Sequence, residues 1–365
     1  WSKANSINDL MGSNGPSLLE RALIDCVGIY TGLNYHEMLT HNVLGVELGA
    51  IHNELDSIAV KDVIAESPLE ILQIRHTVGL VDPLRDEDIQ EESRIFDGLP
   101  QSLESYIRQQ GIRFFKVKIG GDPRGDFERL HDIHSLLNKY CQNYFVTIDG
   151  NEQYDDVGSL VGLLERIKKD LPIFFSRIIY IEQPLDRRVA LNDDFSGDIK
   201  SISEQKPLLI DESDDSIDSF VRAIALGYVG VSSKACKGLI KGIANAALVL
   251  IQGSNRYFLT GEDLMNLPIV PLHQDLVHLS ALGVNNIERN GHHYVRGLDH
   301  LSISERQGCL RDNAGLYSDK GDVVGLKIES GTICVSSLQR PGLGVGDNVD
   351  LHSMVSLPDW NFDTL

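Results

Sequence analysis

The chain has 365 residues, 42% of them hydrophobic, and a formal net charge of −20 with a pI near 4.9. That length is large for one compact core and predicts one large domain with a smaller one. The acidic charge argues against nucleic acid and anionic membrane surfaces as partners, because their phosphates would be repelled. No apolar stretch of about 18 residues occurs, so the sequence predicts no membrane span.

Cysteine usage and the first residues bear on the cellular location. The five cysteines form no Cys-x-x-Cys pair, and their number is odd. This pattern favours reduced thiols over a disulfide framework. The chain opens with WSKANSINDL, which lacks the basic start and apolar stretch of a signal peptide. We therefore expect a cytoplasmic protein.

The first helical pattern is amphipathic and covers residues 16–32, and residues 33–71 form an irregular connection. Strand-like runs then alternate with helical patterns such as 126–140 and 238–252. Eight strands are predicted, at 72–80, 113–120, 144–151, 177–184, 206–213, 228–235, 256–263 and 284–290.

This alternation predicts the fold class α/β, with a (β/α) TIM-type barrel over residues 72–318. Residues 1–71 would be an N-terminal capping segment, which we expect to be incomplete. The tail, residues 319–365, contains two further strand-like runs and would pack with that segment as an α+β capping domain.

Three carboxylates end consecutive predicted strands. Asp149, Glu182 and Asp211 are separated by 33 and 29 residues, about one βα repeat each. Since the carboxyl ends of barrel strands meet at one rim, we expect these side chains to converge. Oxygen-only ligation by separate carboxylates suits Mg²⁺, with Mn²⁺ as a substitute, better than zinc.

Lysines end the strands on two sides of the predicted metal site. Lys116 and Lys118 alternate on the second strand and would both face the barrel interior. Repulsion between them, together with a nearby cation, should lower the pKa of Lys118 enough for general-base work. Lys234 ends the sixth strand, across the barrel, so Lys118 and Lys234 could act on opposite faces of one bound molecule.

Other polar residues near the strand ends are candidates for supporting roles. Asn151, Glu262 and Asp263 could orient the substrate or a lysine. Lys237 and Lys241, on the helix after Lys234, are expected to position an anion or to be solvated. His292 and His293 could contact substrate, although histidines in a loop are more often solvated.

The combined motifs Lys-x-Lys, Asp-x-Asn, Glu-Gln-Pro, Asp-Glu-Ser and the strand-six lysine resemble the enolase superfamily. The strand-six lysine resembles the muconate lactonising enzyme-like subgroup of the mandelate racemase/muconate lactonizing enzyme family. The resemblance implies Asp149, Glu182 and Asp211 as Mg²⁺ ligands and Lys118 and Lys234 as acid/base residues. It also implies a small-molecule carboxylate substrate, which would lose its α-proton to give a metal-stabilised enolate. We expect a homo-oligomer.

Several reactions remain open from the sequence. Racemisation or epimerisation, or a muconate-type cycloisomerisation, is favoured. Alternatives are dehydration of an acid sugar or hydroxy acid, a metal-dependent aldolase or lyase reaction, and a catalytically silent metal-binding barrel. The strand-eight region lacks the paired acids of dipeptide epimerases, so the substrate stays open.

Overall fold

The computed structural model describes residues 2–262, 267–289, 296–321, 323–346, 349–356 and 358–361. Eight parallel strands follow one another around a sheet that closes when the eighth pairs with the first. Their bounds are β1 Ile71–Val78, β2 Phe114–Lys118, β3 Phe145–Asp149, β4 Ile178–Glu182, β5 Leu208–Ile210, β6 Gly230–Ser233, β7 Phe258–Glu262 and β8 Asn286–Arg289. The predicted (β/α) barrel is confirmed.

Helices surround the strands because their apolar faces bury against the barrel wall. Helix α4, Pro123–Tyr140, for example, starts where the Asp122 side chain accepts hydrogen bonds from the amides of Arg124 and Gly125, and it buries Leu130, Ile133 and other apolar residues. The helices that follow β1 are α3 Leu103–Gln110, α4 Pro123–Tyr140, α5 Val157–Asp170, α6 Pro172–Arg177, α7 Arg187–Ala190, α8 Ser196–Gln205, α9 Ser219–Leu226, α10 Leu239–Gln252, α11 Val270–Ala281 and α12 Ile303–Asp312.

The N-terminal segment is helical. Helix α1 spans Asp9–Thr31, longer than the predicted 16–32, because Asn8 caps it upstream. Helix α2, Tyr35–Thr40, has a capping box between Asn34 and Glu37. Within the described part of the chain, no helix combines the length and the hydrophobicity needed to cross a bilayer.

The C-terminal segment contacts both the barrel and α1. Strands β9, Tyr317–Asp319, and β10, Val324–Leu326, form an antiparallel pair, and β11, Thr332–Cys334, pairs antiparallel with β1. The amide of Leu343 donates to Asp25 of α1 over 2.7 Å. The domain boundaries given above stay a prediction.

Candidate active site

The register of the barrel places three predicted site residues side by side. Lys118 pairs with Asp149 between β2 and β3, and Asp149 pairs with Glu182 between β3 and β4. Side chains at equivalent positions on parallel strands point the same way. The strand ends therefore bring a lysine and two carboxylates to one point of the rim.

Lys116 lies at the centre of the acidic cluster and is 1% exposed. Its Nζ atom lies 2.8 to 3.0 Å from one carboxylate oxygen each of Asp149, Glu182, Glu262 and Glu288. Burial lowers the pKa of Lys116, but these four carboxylates outweigh it and hold the pKa well above its ordinary value. Lys116 is thus a fixed cation that four buried acids share.

Lys118, the predicted base, is closer to solvent, with 23% of its side chain exposed. Its Nζ donates to Asp149 Oδ2 over 2.6 Å. Burial and Lys116 both lower the pKa of Lys118, yet Asp149 dominates and the net pKa is raised. Without a cation the pKa of Lys118 is therefore raised, and the contribution of Lys116 has the expected sign. The lowering expected beside a bound cation stays a prediction.

Lys234, the other predicted acid/base residue, follows β6, which stands opposite β2 in the order of the eight strands. Its Nζ lies 2.7 Å from Asp211 Oδ2 and 2.5 Å from Glu262 Oε2. Burial lowers its pKa, but Asp211 and Glu262 together raise it well above the ordinary value. Glu262 consequently bridges Lys116 and Lys234.

Three buried carboxylates come close enough to hold one cation. Glu182, Asp211 and Glu262 each offer an oxygen within 4.8 Å of the others. Burial, followed by the charge of Glu262, raises the pKa of Glu182 well above its usual range. The Oε2 atom of Glu182 is buried without a hydrogen-bond partner. An orphaned oxygen in an all-oxygen site fits a hard divalent cation.

Comparisons with known proteins bear on this barrel. No family model matches the chain. A 74-residue stretch is 40% identical to the L-Lys-D/L-Arg epimerase of Methylococcus capsulatus, but it covers 20% of this chain and 18% of that protein. The match therefore spans less than a fifth of the relative.

Solved structures match over most of the chain. A 3,6-anhydro-D-galactonate cycloisomerase from Zobellia galactanivorans has a TM-score of 0.55 at 18% identity, covering 91% of this chain and 72% of its own. The muconate lactonizing enzyme of Klebsiella pneumoniae has a TM-score of 0.54 at 18% identity, with 89% and 70% covered. A mandelate racemase/muconate lactonizing protein from Paracoccus denitrificans, solved with magnesium, has a TM-score of 0.56 at 14% identity, with 91% and 72% covered.

This chain shares its fold with the solved mandelate racemase/muconate lactonizing proteins. The recognition from the sequence motifs is confirmed at that level, including the likeness to muconate lactonizing enzymes. Two of the three predicted metal ligands, Glu182 and Asp211, lie close to each other and to Glu262. The third, Asp149, is ion-paired with Lys116 and Lys118. The assignment of ligands stays a prediction.

The other predicted site residues take different places on this fold. Asn151 lies at the exposed rim, where its amide Nδ2 donates to Glu212 Oε1 over 2.6 Å and its backbone N–H donates to Asp149 Oδ1 over 2.8 Å. Glu262 is central to the cluster. Three further predicted residues lie outside the described part of the chain: Asp263, His292 and His293.

The expectation that Lys237 and Lys241 are solvated is wrong. Lys237 is 6% exposed, and its Nζ contacts Asp211 Oδ1 at 3.0 Å and Ser232 Oγ at 2.8 Å. Lys241 pairs with Asp214 at 2.9 Å. These lysines are drawn inward because Asp211 and Asp214 are buried and need counter-charges.

Sequence reasoning missed Glu288, Gln183 and Glu212. Glu288 is an acid inside β8, the eighth barrel strand, and it accepts from Thr77 Oγ1 over 2.6 Å as well as from Lys116. The sequence feature that could have identified Glu288 is its position inside a predicted barrel strand. Burial and the charge of Asp211 raise the pKa of Glu212 to about 8.

Proposed function

We propose that the chain is an isomerase that removes the α-proton of a small carboxylate substrate and returns a proton to the resulting enolate. Lys118 and Lys234 act as the acid/base residues. The supporting observation is that these two lysines end opposite strands of the barrel, each in contact with a carboxylate of the same buried acidic cluster. A purely structural cation site would need neither lysine.

Asp149, Glu182 and Asp211 would hold one Mg²⁺ ion. Asp149 and Glu182 are register neighbours, and Glu182 has a buried oxygen free of hydrogen bonds. Glu262, whose oxygens contact Lys116 and Lys234, is the alternative third ligand beside Glu182 and Asp211. A bound Mg²⁺ would supply positive charge where the carboxylate oxygens of the substrate become more negative.

The lysines must exchange roles for a two-base reaction. The neutral amine of one takes the α-proton, and the ammonium of the other delivers a proton to the opposite face of the enolate. Because Asp149 raises the pKa of Lys118, engagement of Asp149 with a cation would lower that pKa toward the operating range. Lys116, locked among four carboxylates, remains charged and stabilises the enolate electrostatically.

Racemisation or epimerisation is our first choice of reaction, since both lysines are retained on opposite strands. Cycloisomerisation, the reaction named for the solved Zobellia galactanivorans enzyme, needs only one proton-transferring lysine. The homo-oligomeric state and the cytoplasmic location stay predictions.

The experiment is a screen of carboxylates, including N-acyl amino acids, dipeptides and hydroxy acids, in heavy water with Mg²⁺. Proton NMR reports the loss of the α-proton signal whatever later step follows. For a racemase or epimerase, Lys234→Met should still exchange the isomer that faces Lys118 but should fail to invert it. Lys118→Met should show the mirror-image defect.

The matched control is Lys241→Met, which removes a half-buried lysine whose partner is Asp214 and not the predicted ligands. It should exchange and invert as the wild type does. Unimpaired inversion by Lys234→Met would rule out the two-base assignment, and wild-type exchange without inversion would favour cycloisomerisation or elimination. An absence of exchange across the whole panel would count against the proposal.

A further inference from the structure

The side chain of Gln183, directly after Glu182, is buried and fully hydrogen-bonded. Its Oε1 accepts from the amides of Asp211 and Ser213 over 2.9 and 3.0 Å. Its Nε2 donates to Ser213 Oγ over 2.7 Å and to the carbonyl of Leu185 over 2.8 Å. Gln183 is 1% exposed, so water cannot replace these bonds without opening the site.

The backbone of Gln183, directly after β4, also connects the ends of β3 and β5. Its amide donates to the carbonyl of Leu209 in β5 over 3.0 Å, and its carbonyl accepts from Glu152, beyond β3, over 2.9 Å. Its φ of +30° is uncommon for a residue with a side chain. Such a conformation persists only where the surroundings hold it, and it occurs often at functional sites.

A close approach between β3 and β4 completes this connection. The amide of Gly150, next to Asp149, donates to the carbonyl of Glu182 over 2.9 Å. A Cβ atom at Gly150 would lie 2.4 Å from Pro184 Cα, so only glycine allows this spacing. The strand ends that carry Asp149, Glu182 and Asp211 are therefore tied together at Gln183 and its neighbours.

We propose that Gln183 is a positioning residue that sets the spacing of the three predicted metal-binding carboxylates. Gln183 does not contact the cation or the substrate. It fixes the turn at Asp211–Ser213 against the end of β4, and thereby fixes where the Asp211 carboxylate lies relative to Glu182. This inference rests on the proposed function, because it assumes that Asp149, Glu182 and Asp211 hold the cation.

The physical reason is pre-organisation. A divalent cation needs its oxygen ligands at set distances, and groups that orient the ligands commonly change metal affinity by about 10- to 100-fold. Without Gln183, the amides of Asp211 and Ser213 lose their acceptor. The turn can then relax, and cation binding must order it again.

The experiment measures Mn²⁺ affinity by calorimetry on folded protein, beside thermal unfolding in chelator. Gln183→Met keeps the approximate volume and removes all four hydrogen bonds, whereas Gln183→Asn keeps the amide but shortens its reach. We expect each to raise the Mn²⁺ dissociation constant at least tenfold. If Gln183→Met does not fold, Gln183→Asn decides the result alone.

The matched control is Gln274→Met. Gln274 is a buried glutamine of α11 that accepts from Arg21 over 3.0 Å, away from the predicted ligands. The Gln274→Met variant should have a lower unfolding temperature but an unchanged Mn²⁺ affinity. Unchanged affinity in the Gln183 variants, with only a lower unfolding temperature, would overturn the positioning role. Failure of the wild type to bind Mn²⁺ would instead overturn the proposed metal site, a distinguishable result.

Discussion

Lys234 Nζ lies 2.7 Å from Asp211 Oδ2, so a predicted acid/base residue is ion-paired with a predicted metal ligand. Lys118 has the same relationship with Asp149, over 2.6 Å. In each pair the ammonium would compete with a bound cation for one carboxylate oxygen. Metal affinity and the protonation of these lysines must therefore depend on each other.

The first prediction concerns this competition. Lys234→Met removes the ammonium from Asp211 Oδ2, so Mn²⁺ should bind several-fold more tightly than to the wild type. Calorimetry at constant pH measures the change. Lys241→Met, whose lysine pairs with Asp214, serves as the control and should leave the affinity unchanged. Weaker Mn²⁺ binding by Lys234→Met would show that the lysine supports Asp211 and does not compete for it.

The second prediction separates the candidate ligands. Glu182→Gln and Asp211→Asn should each lower Mn²⁺ affinity by about 100-fold or more, because removing a ligand should cost at least as much as removing a residue that orients one. Asp149→Asn should resemble them, whereas Glu262→Gln should have a smaller effect. The reverse order for Asp149 and Glu262 would identify the cluster of Glu182, Asp211 and Glu262 as the binding set.

The third prediction concerns Lys116. Lys116→Met leaves four buried carboxylates without their shared cation, and breaking a buried ion pair costs about 3 kcal/mol or more. Chemical denaturation in chelator should show this loss of unfolding free energy. Saturating Mg²⁺ should restore more stability to the variant than to the wild type, since the cation can compensate the same charges. Equal stabilisation of both proteins would contradict this interpretation.

In the same variant, the loss of a positive neighbour should raise the pKa of Lys118 further, since Lys116 lowers it. Once a substrate is known, the basic ionisation in the pH profile of kcat/KM should move to higher pH. An unmoved ionisation would show that Lys116 does not tune Lys118.

The fourth prediction concerns two buried histidines of α11. Burial lowers the pKa of His273 to about 4 and that of His278 to about 3, below the usual 6.5. The unfolded chain therefore takes up protons first as the pH falls, and the stability that these neutral rings provide is lost progressively below about pH 6.5.

A His278→Gln variant tests the direction of this pH dependence of stability. Between pH 7 and pH 4, its unfolding free energy should fall less steeply than that of the wild type, whatever its absolute stability. The partners of the ring are Tyr35 and Ser233, neither of which titrates in that range. An equal slope in both proteins would show that His278 does not cause the acid sensitivity. His131→Gln, with 55% of the side chain exposed, is the surface control.

Local patterns predicted the barrel because each βα unit is encoded within one stretch of chain. Apolar runs that end in charged residues identified the strands. The spacing of Asp149, Glu182 and Asp211 placed three acidic residues at one rim of the barrel. The β5 prediction was too long: the strand ends at Ile210 because the amides of Asp211 and Ser213 bond to Gln183 instead of a neighbouring strand. Such a bond between distant segments leaves no periodic signal.

The sequence by itself determined which residues reach the barrel mouth. Alternation along a strand fixes the direction of each side chain, and the βα repeat fixes the order of the strands. Only the tertiary structure decided which charges meet. Lys116 contacts Glu288, 172 residues away, and Lys237 turns inward toward Asp211. The sign of the pKa change at Lys118 depended on its contact with Asp149, whose charge outweighs burial and the repulsion of Lys116. Coulombic energies depend on distances between side chains from different strands, and closure of the barrel sets those distances.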